Sequence, residues 1–256
     1  MKIWTVSNQK GGVGKTSTTV TLGGLLASRG FNTLLIDLDP QGSLTSYFRL
    51  NPDQLGLSVY NLFQDAADKK PLNPMPYVTE TKTEGLSVLP ASTAIATLDR
   101  QAGQLDGMGL VLVGGLEAVT ENFDYVLIDC PPMLGVLMVN ALAACQQLIV
   151  PVIPEFLSLK GLERMMRTVT MINRSRKKPL RCTIVPTLFD RRTREAIQSL
   201  AILQEKYPKQ LASVTIPVDA KIRDASRAGS PASHYSPKAK AVIAYDELLE
   251  NLLLHR

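Results

Sequence analysis

Ile3-Trp4-Thr5-Val6-Ser7-Asn8-Gln9-Lys10-Gly11-Gly12-Val13-Gly14-Lys15-Thr16-Ser17 passes from an apolar strand through a glycine-rich loop into a helix. Strand, loop and helix in that order make a phosphate cradle. Glycines let backbone N–H groups close around an anion, and the helix N-terminus adds its positive dipole. In such a loop Lys15 reaches the β- and γ-phosphates and the Thr16 hydroxyl ligates Mg²⁺. The strict GxxxxGK[ST] pattern fails, because Gln9 occupies its first glycine position. A second lysine, Lys10, stands beside it.

Outward from this loop, short apolar runs alternate with longer amphipathic stretches, the pattern of a parallel sheet wrapped in helices. The predicted strands are Ile3–Ser7, Thr33–Asp37, Leu86–Leu89, Tyr125–Asp129, Leu148–Val152, Arg181–Val185 and Ser213–Ile216. The predicted helices are Lys15–Arg29, Gly109–Thr120, Val136–Ala144, Leu157–Arg174, Arg194–Lys206 and Lys238–Leu253. The expected fold is α/β, a mostly parallel twisted sheet with helices on both faces, in a P-loop NTPase arrangement. Residues 1–256 read as a single domain, with 51–82, which carries Pro52, Pro71, Pro74 and Pro76, as an excursion on it.

Composition narrows the class. Of 256 residues 45% are apolar and 20% charged, the balance of an ordinary globular chain rather than a disordered one. The longest apolar run, Val136 to Ile153, is interrupted by Asn140, Gln146, Gln147 and Pro151, so no membrane span is expected. Nor does the N-terminus read as a signal peptide. Three cysteines without a CxxC pair and two histidines give no case for a disulfide framework or a zinc site, and a reducing cytoplasm is the expected location. The net charge of +5 is uneven. Arg174 to Lys240 holds 15 Lys and Arg against 5 Asp and Glu, which suggests a polyanion partner, nucleic acid first and an anionic membrane surface second.

Lys10-Gly11-Gly12-Val13-Gly14-Lys15-Thr16 resembles the deviant P-loop of the ParA/MinD (Soj-like) family of ATPases. Two further stretches agree in order and spacing. Leu34-Leu35-Ile36-Asp37-Leu38-Asp39-Pro40-Gln41-Gly42 resembles the family's DxDPQG signature, and Tyr125-Val126-Leu127-Ile128-Asp129-Cys130-Pro131-Pro132 resembles its Walker B strand. The resemblance implies ATP or ADP with Mg²⁺ as cofactors and an ATP-dependent homodimer. In it Lys10 reaches the nucleotide of the partner chain. Gly11 to Ser17 hold the phosphates, Asp39 orients the attacking water, and Thr16 binds Mg²⁺ with Asp39 and Asp129 acting through water. Asp37 reads either as part of this machinery or as a carboxylate that caps its own loop. Thr215-Ile216-Pro217-Val218-Asp219 matches the strand end that borders the adenine, which makes Pro217 and Asp219 base contacts. The family usually has asparagine where this chain has Asp219.

Leu188-Phe189-Asp190-Arg191-Arg192-Thr193-Arg194 resembles a family loop. With Lys221, Arg223 and Arg227 it gives a candidate face for non-specific DNA, bound through phosphates alone. After Pro217 the chain leaves the chromosome-partition pattern and resembles the ParC branch, which positions chemoreceptor arrays at the cell pole. The expected function is therefore a slow, ATP-dependent switch that positions a polar array or segregates DNA through a protein adaptor, at the pole or on the nucleoid. The alternative is an amidoligase-like P-loop enzyme that uses ATP to activate a small substrate. The last helix has an apolar stripe of Val242, Tyr245, Leu248, Leu249 and Leu252 and lacks lysine-flanked phenylalanines, so it reads as core packing rather than a membrane anchor.

Overall fold

A computed structural model describes residues 1–98 and 107–254. The strands β1 (Lys2–Val6), β2 (Thr33–Asp37), β3 (Thr79–Glu80), β4 (Leu86–Leu89), β5 (Tyr125–Asp129), β6 (Gln147–Val152) and β7 (Arg181–Pro186) form one sheet in the order β3-β4-β2-β5-β1-β6-β7. Every pairing is parallel except β3 with β4. The helices are α1 (Lys15–Ser28), α2 (Ser43–Tyr47), α3 (Val59–Ala67), α4 (Val111–Glu117), α5 (Val136–Ala144), α6 (Phe156–Asn173), α7 (Arg194–Lys206), α8 (Ala220–Ala228), α9 (Ala232–Tyr235) and α10 (Lys240–Leu254).

Successive strand residues face opposite sides of a sheet, and here both sides are covered. Leu34, Ile36, Val126 and Ile128 pack in a core with Phe63 of α3, Leu112 of α4, Leu137 of α5 and Met165 of α6. Leu35, Tyr125 and Leu127 pack in a second core with Leu22 and Leu26 of α1 and Val242, Tyr245, Leu248 and Leu249 of α10. The apolar stripe of the last helix is thus core, with Leu252 partly buried against it; His255 and Arg256 lie outside the described residues. No described helix is long and apolar enough to cross a membrane. Asn140, which breaks the longest apolar run, accepts from Leu112 N–H and donates to the Met108 and Val136 carbonyls, tying α5 to α4.

Two strand expectations change. Ser213–Ile216 alternates as a strand should, with Val214 and Ile216 buried, yet its flanks form only isolated bridges, Leu211 with Ile184 of β7 and Pro217 with Phe189 just beyond it. The β7 donor that would continue this ladder falls at Pro186, which has no N–H, and the next bond is made by Ile216 N–H to the Pro186 carbonyl at 2.8 Å. The seventh strand is instead β3, from the 51–82 excursion, which also supplies α3. β1 lies between β5 and β6, so the loop after it opens at the point where the chain's connections diverge, the ligand crevice of open α/β sheets.

Candidate functional site

The loop between β1 and α1 is shaped by its glycines and pinned from three sides. Gly12 and Gly14 have φ of 74° and 88°, a region a Cβ makes strained, and a Cβ built on Gly11 or Gly12 meets nothing within 4 Å. Buried Asn8 donates to the Pro151 carbonyl at 2.7 Å and accepts from Lys10 N–H at 3.2 Å. Thr187 donates to the Val13 carbonyl at 2.8 Å. Gln9, where a glycine is usual, donates through its amide to Thr168 on α6 at 2.9 Å. The loop is thus tethered to β6, α6 and the strand end at Thr187.

Lys15 is buried at the start of α1, its Nζ 3.4 Å from the Lys10 carbonyl. The neighbouring Thr16 hydroxyl donates to Asp129 Oδ2 at 2.6 Å. The other carboxylate oxygen of Asp129 is buried with no partner. Burial, and then the adjacent Asp37, push the Asp129 carboxyl well above the usual range. An orphaned carboxylate oxygen beside a threonine hydroxyl is a hard oxygen set, and a divalent cation there would remove the cost of charging it. Among the described residues no group of three His, Cys, Asp or Glu side chains could hold a metal alone. Phosphate oxygens would complete the shell, as Mg²⁺ sites commonly require.

The two aspartates of the second signature have different fates. Asp37 is fully buried and accepts from Asp39 N–H, Thr45 N–H and the Thr45 hydroxyl at 3.0, 2.8 and 2.7 Å. It caps the turn into α2, and burial pushes its carboxyl up to about 6. These bonds are those of the capping reading of Asp37. Asp39 sits half-exposed beyond it and holds Gln41 N–H at 3.0 Å.

A cavity of about 430 Å³ opens beside the loop, lined by Gly12, Gly14 and Ser17 and walled by Leu188, Pro217, Val218, Ile222 and Tyr245. Its size and apolar walls suit a nucleoside base. Pro217 stands in its wall. Asp219 borders the same cavity, but its carboxylate accepts from Lys221 N–H at 2.9 Å and Ala241 N–H at 3.1 Å, joining the starts of α8 and α10. The carboxylate is thus a double cap at the border of the cavity. Leu188, Ile222 and Tyr245 were not legible as site residues, since each sits in an ordinary apolar pattern.

The candidate basic face is partly assembled. Phe189 N–H donates to the Ile216 carbonyl at 2.9 Å, so the loop of Arg191, Arg192 and Arg194 lies beside the entry to α8. Arg223 lines the base cavity, and Arg227 follows one turn later on α8. Two of the six cations have acidic neighbours in hand: Arg192 grips Asp190 at 2.7 Å and Lys221 reaches Asp224 at 3.3 Å.

Lys10 stands at the rim, its side chain 35% exposed and its Nζ 4.0 Å from Glu155. A Cβ on Gly161 would come within 3.1 Å of the Lys10 Cβ, so glycine there lets α6 approach the loop. Past the same ends of β5, β6 and β7, Met133, Leu134, Phe156, Leu157, Leu188 and Val218 are exposed.

A phosphate loop after a central parallel strand, with carboxylates on the neighbouring strand ends, defines a P-loop nucleotide hydrolase. A family described as AAA domain matches residues 1–182. The chain is 33% identical to the sporulation initiation inhibitor protein Soj of Bacillus subtilis over 252 residues, 98% of each chain. It is 32% identical to the chromosome partitioning protein ParA of Caulobacter vibrioides, over 99% of this chain and 94% of that one. A solved structure of cobyrinic acid a,c-diamide synthase from Mycobacterium smegmatis, with bound ADP and magnesium, superposes with a TM-score of 0.84 at 31% identity, over 99% of this chain and 94% of that one. The chain belongs to the ParA/MinD family of P-loop ATPases. It is an ATPase, and its cofactors are ATP and Mg²⁺.

Proposed function

We propose that residues 1–256 act as one ATPase domain, a slow switch whose ATP-bound homodimer positions or segregates cargo and whose hydrolysis releases it. The observation that carries this reading is Lys10. Its ammonium lies at the rim beside Glu155 while Lys15 is buried under the loop. A lysine so placed, on the end of the sheet that also exposes Met133, Phe156, Leu157 and Val218, is suited to a second copy. The residues divide the work. Gly11 to Ser17 hold the phosphates, Lys15 neutralises their charge, and Thr16 with water on Asp129 and Asp39 holds the ion. Mg²⁺ held there would supply charge neutralisation for the phosphates. Asp39, half-exposed and free of the capping role that occupies Asp37, orients the attacking water.

Lys10→Ala tests the reading. Sedimentation with a non-hydrolysable ATP analogue should show a dimer for the wild type and a monomer for the variant. Titration should find nucleotide affinity within about threefold, since Lys15 and the glycines remain. An intact dimer in Lys10→Ala would overturn the role of Lys10 in trans.

The relative named for chromosome partitioning supports cargo moved on DNA or through an adaptor, in the cytoplasm at the pole or on the nucleoid. The basic face of Arg191, Arg192, Arg194, Lys221, Arg223 and Arg227 supports non-specific DNA as the surface the dimer reads. A second reading, ATP-driven amidation of a small acid, is favoured by the likeness to cobyrinic acid a,c-diamide synthase. Glutamine-dependent ATP turnover that rises with an added carboxylic acid and ignores DNA would select it.

A further inference from the structure

We infer, resting on the reading of the loop after β1 as the ATP site, that Thr187 is a positioning residue of that site. It stands just past the end of β7 and holds the Val13–Gly14 peptide so that the peptide's N–H is presented to a phosphate.

The cause lies in the peptide unit. A trans peptide is planar, with its C=O and N–H pointing in opposite directions. Fixing the Val13 carbonyl therefore also aims the Gly14 N–H. Gly12 and Gly14, both at positive φ, flank Val13. Glycine tolerates either orientation of an adjoining peptide, so nothing local selects one. Thr187 does: its buried hydroxyl donates to the Val13 carbonyl at 2.8 Å, from 174 residues away. The Gly14 N–H, on the other side of that peptide, has no partner among the described residues. Gly14 is the N-cap of α1, and N–H groups at a helix start bind anions.

The corner that carries Thr187 is held against its own preference. Among the described residues three that are not glycine have positive φ: Arg49 at 66°, Lys69 at 56° and Leu188 at 51°. Arg49 and Lys69 each follow a helix cap, where a left-handed residue is ordinary. Leu188 follows a strand and has no such local cause. Bonds on both sides hold it, Thr187 N–H to the Val152 carbonyl at 2.8 Å and Phe189 N–H to the Ile216 carbonyl at 2.9 Å. Leu188 walls the base cavity, which Thr187 also lines. Backbone strain of this kind persists where the surroundings fix a position for function. Two successive residues thus serve two parts of one nucleotide, Leu188 the base and Thr187 the phosphates.

Competition against a fluorescent ATP analogue, on the full chain with Mg²⁺, reads ATP and tripolyphosphate separately. Thr187→Val keeps the shape and removes the donor. It should weaken ATP and tripolyphosphate alike, about fivefold or more, the size of one lost hydrogen bond. Thr187→Ser restores the hydroxyl and should return both to within about twofold of wild type. Leu188→Gly relieves the backbone, so it should cost little or no stability in urea while weakening ATP more than tripolyphosphate. Lys15→Ala is the control for the site itself: near wild-type ATP affinity there would remove the nucleotide reading and Thr187 with it. Once Lys15→Ala has lost ATP, either of two results overturns Thr187 alone. One is ATP and tripolyphosphate affinities in Thr187→Val within about twofold of wild type, whatever its stability. The other is no recovery in Thr187→Ser.

Discussion

The phosphate loop and the stretch from Pro186 to Gly229 border the same nucleotide crevice and are built by opposite means. The loop's conformation is set within a few residues: left-handed Gly12 and Gly14, then Lys15 and Thr16 on the first turn of α1. The later stretch is assembled from afar. Phe189 is tied to Ile216, and the carboxylate of Asp219 is divided between Lys221 and Ala241. Backbone constraints that act locally leave a mark in the sequence. The commitments of a charged side chain depend on which distant N–H or cation the fold brings to it, and they leave none. A count of basic residues therefore overstates what Arg191 to Arg227 can offer, since Asp190 and Asp224 already engage two of them.

The contrast is sharpest where the loop is struck directly. Lys15→Ala removes the buried ammonium beneath the cradle. ATP affinity by calorimetry should fall at least about a hundredfold, roughly 2.7 kcal/mol. Near wild-type affinity would mean that the glycines and the helix dipole suffice. Asp39→Ala comes next, because it leaves the cradle, Thr16 and the Asp37 cap in place. The variant should bind Mg-ATP and dimerise, while turnover drops about a hundredfold. Turnover within about twofold of wild type would move the search for the water-orienting group elsewhere.

The later stretch should give smaller and more conditional effects. Arg192→Glu with Arg223→Glu should weaken binding of non-specific DNA to the stalled Asp39→Ala dimer by at least about tenfold, and DNA bound by the parent should dissociate as salt rises. Filter binding in a salt series reads both. If the parent dimer retains no DNA even at low salt, the basic face is solvated surface, and the switch reads a protein instead.

How far the sequence could be read follows the same division. Six parallel strands were visible because each is a short apolar run buried on both faces, as Leu34 and Leu35 pack into different cores. β3 was not, since two residues, Thr79 and Glu80, carry no periodicity. Ser213–Ile216 failed in the other direction: its alternation correctly marks Val214 and Ile216 as buried, but burial does not require a ladder, and the obstacle, Pro186, lies on the neighbouring strand. In the site, Lys15, Thr16 and Asp129 were legible as a motif. The partition of labour between Asp37 and Asp39 needed Thr45, eight residues on, whose backbone and hydroxyl occupy Asp37.

The smallest predicted effect tests the contrast most closely. If Asp219 reads the base, Asp219→Ala should lower ATP affinity and alter the preference for ATP over GTP while stability hardly changes. Its geometry requires the reverse. Its two oxygens satisfy N–H groups at the starts of α8 and α10, the kind of group a helix N-terminus otherwise leaves unpaired. Losing such a cap costs about 1 kcal/mol at each end, so Asp219→Ala should lose roughly 1–2 kcal/mol in urea unfolding. ATP affinity should stay within about threefold, because Pro217, Val218 and Ile222 still wall the cavity. Asp219→Asn keeps an oxygen for only one of the two helices and should fall between Ala and wild type in stability. A tenfold change in ATP affinity with unaltered stability would return Asp219 to the base and remove one leg of the distinction between the two regions.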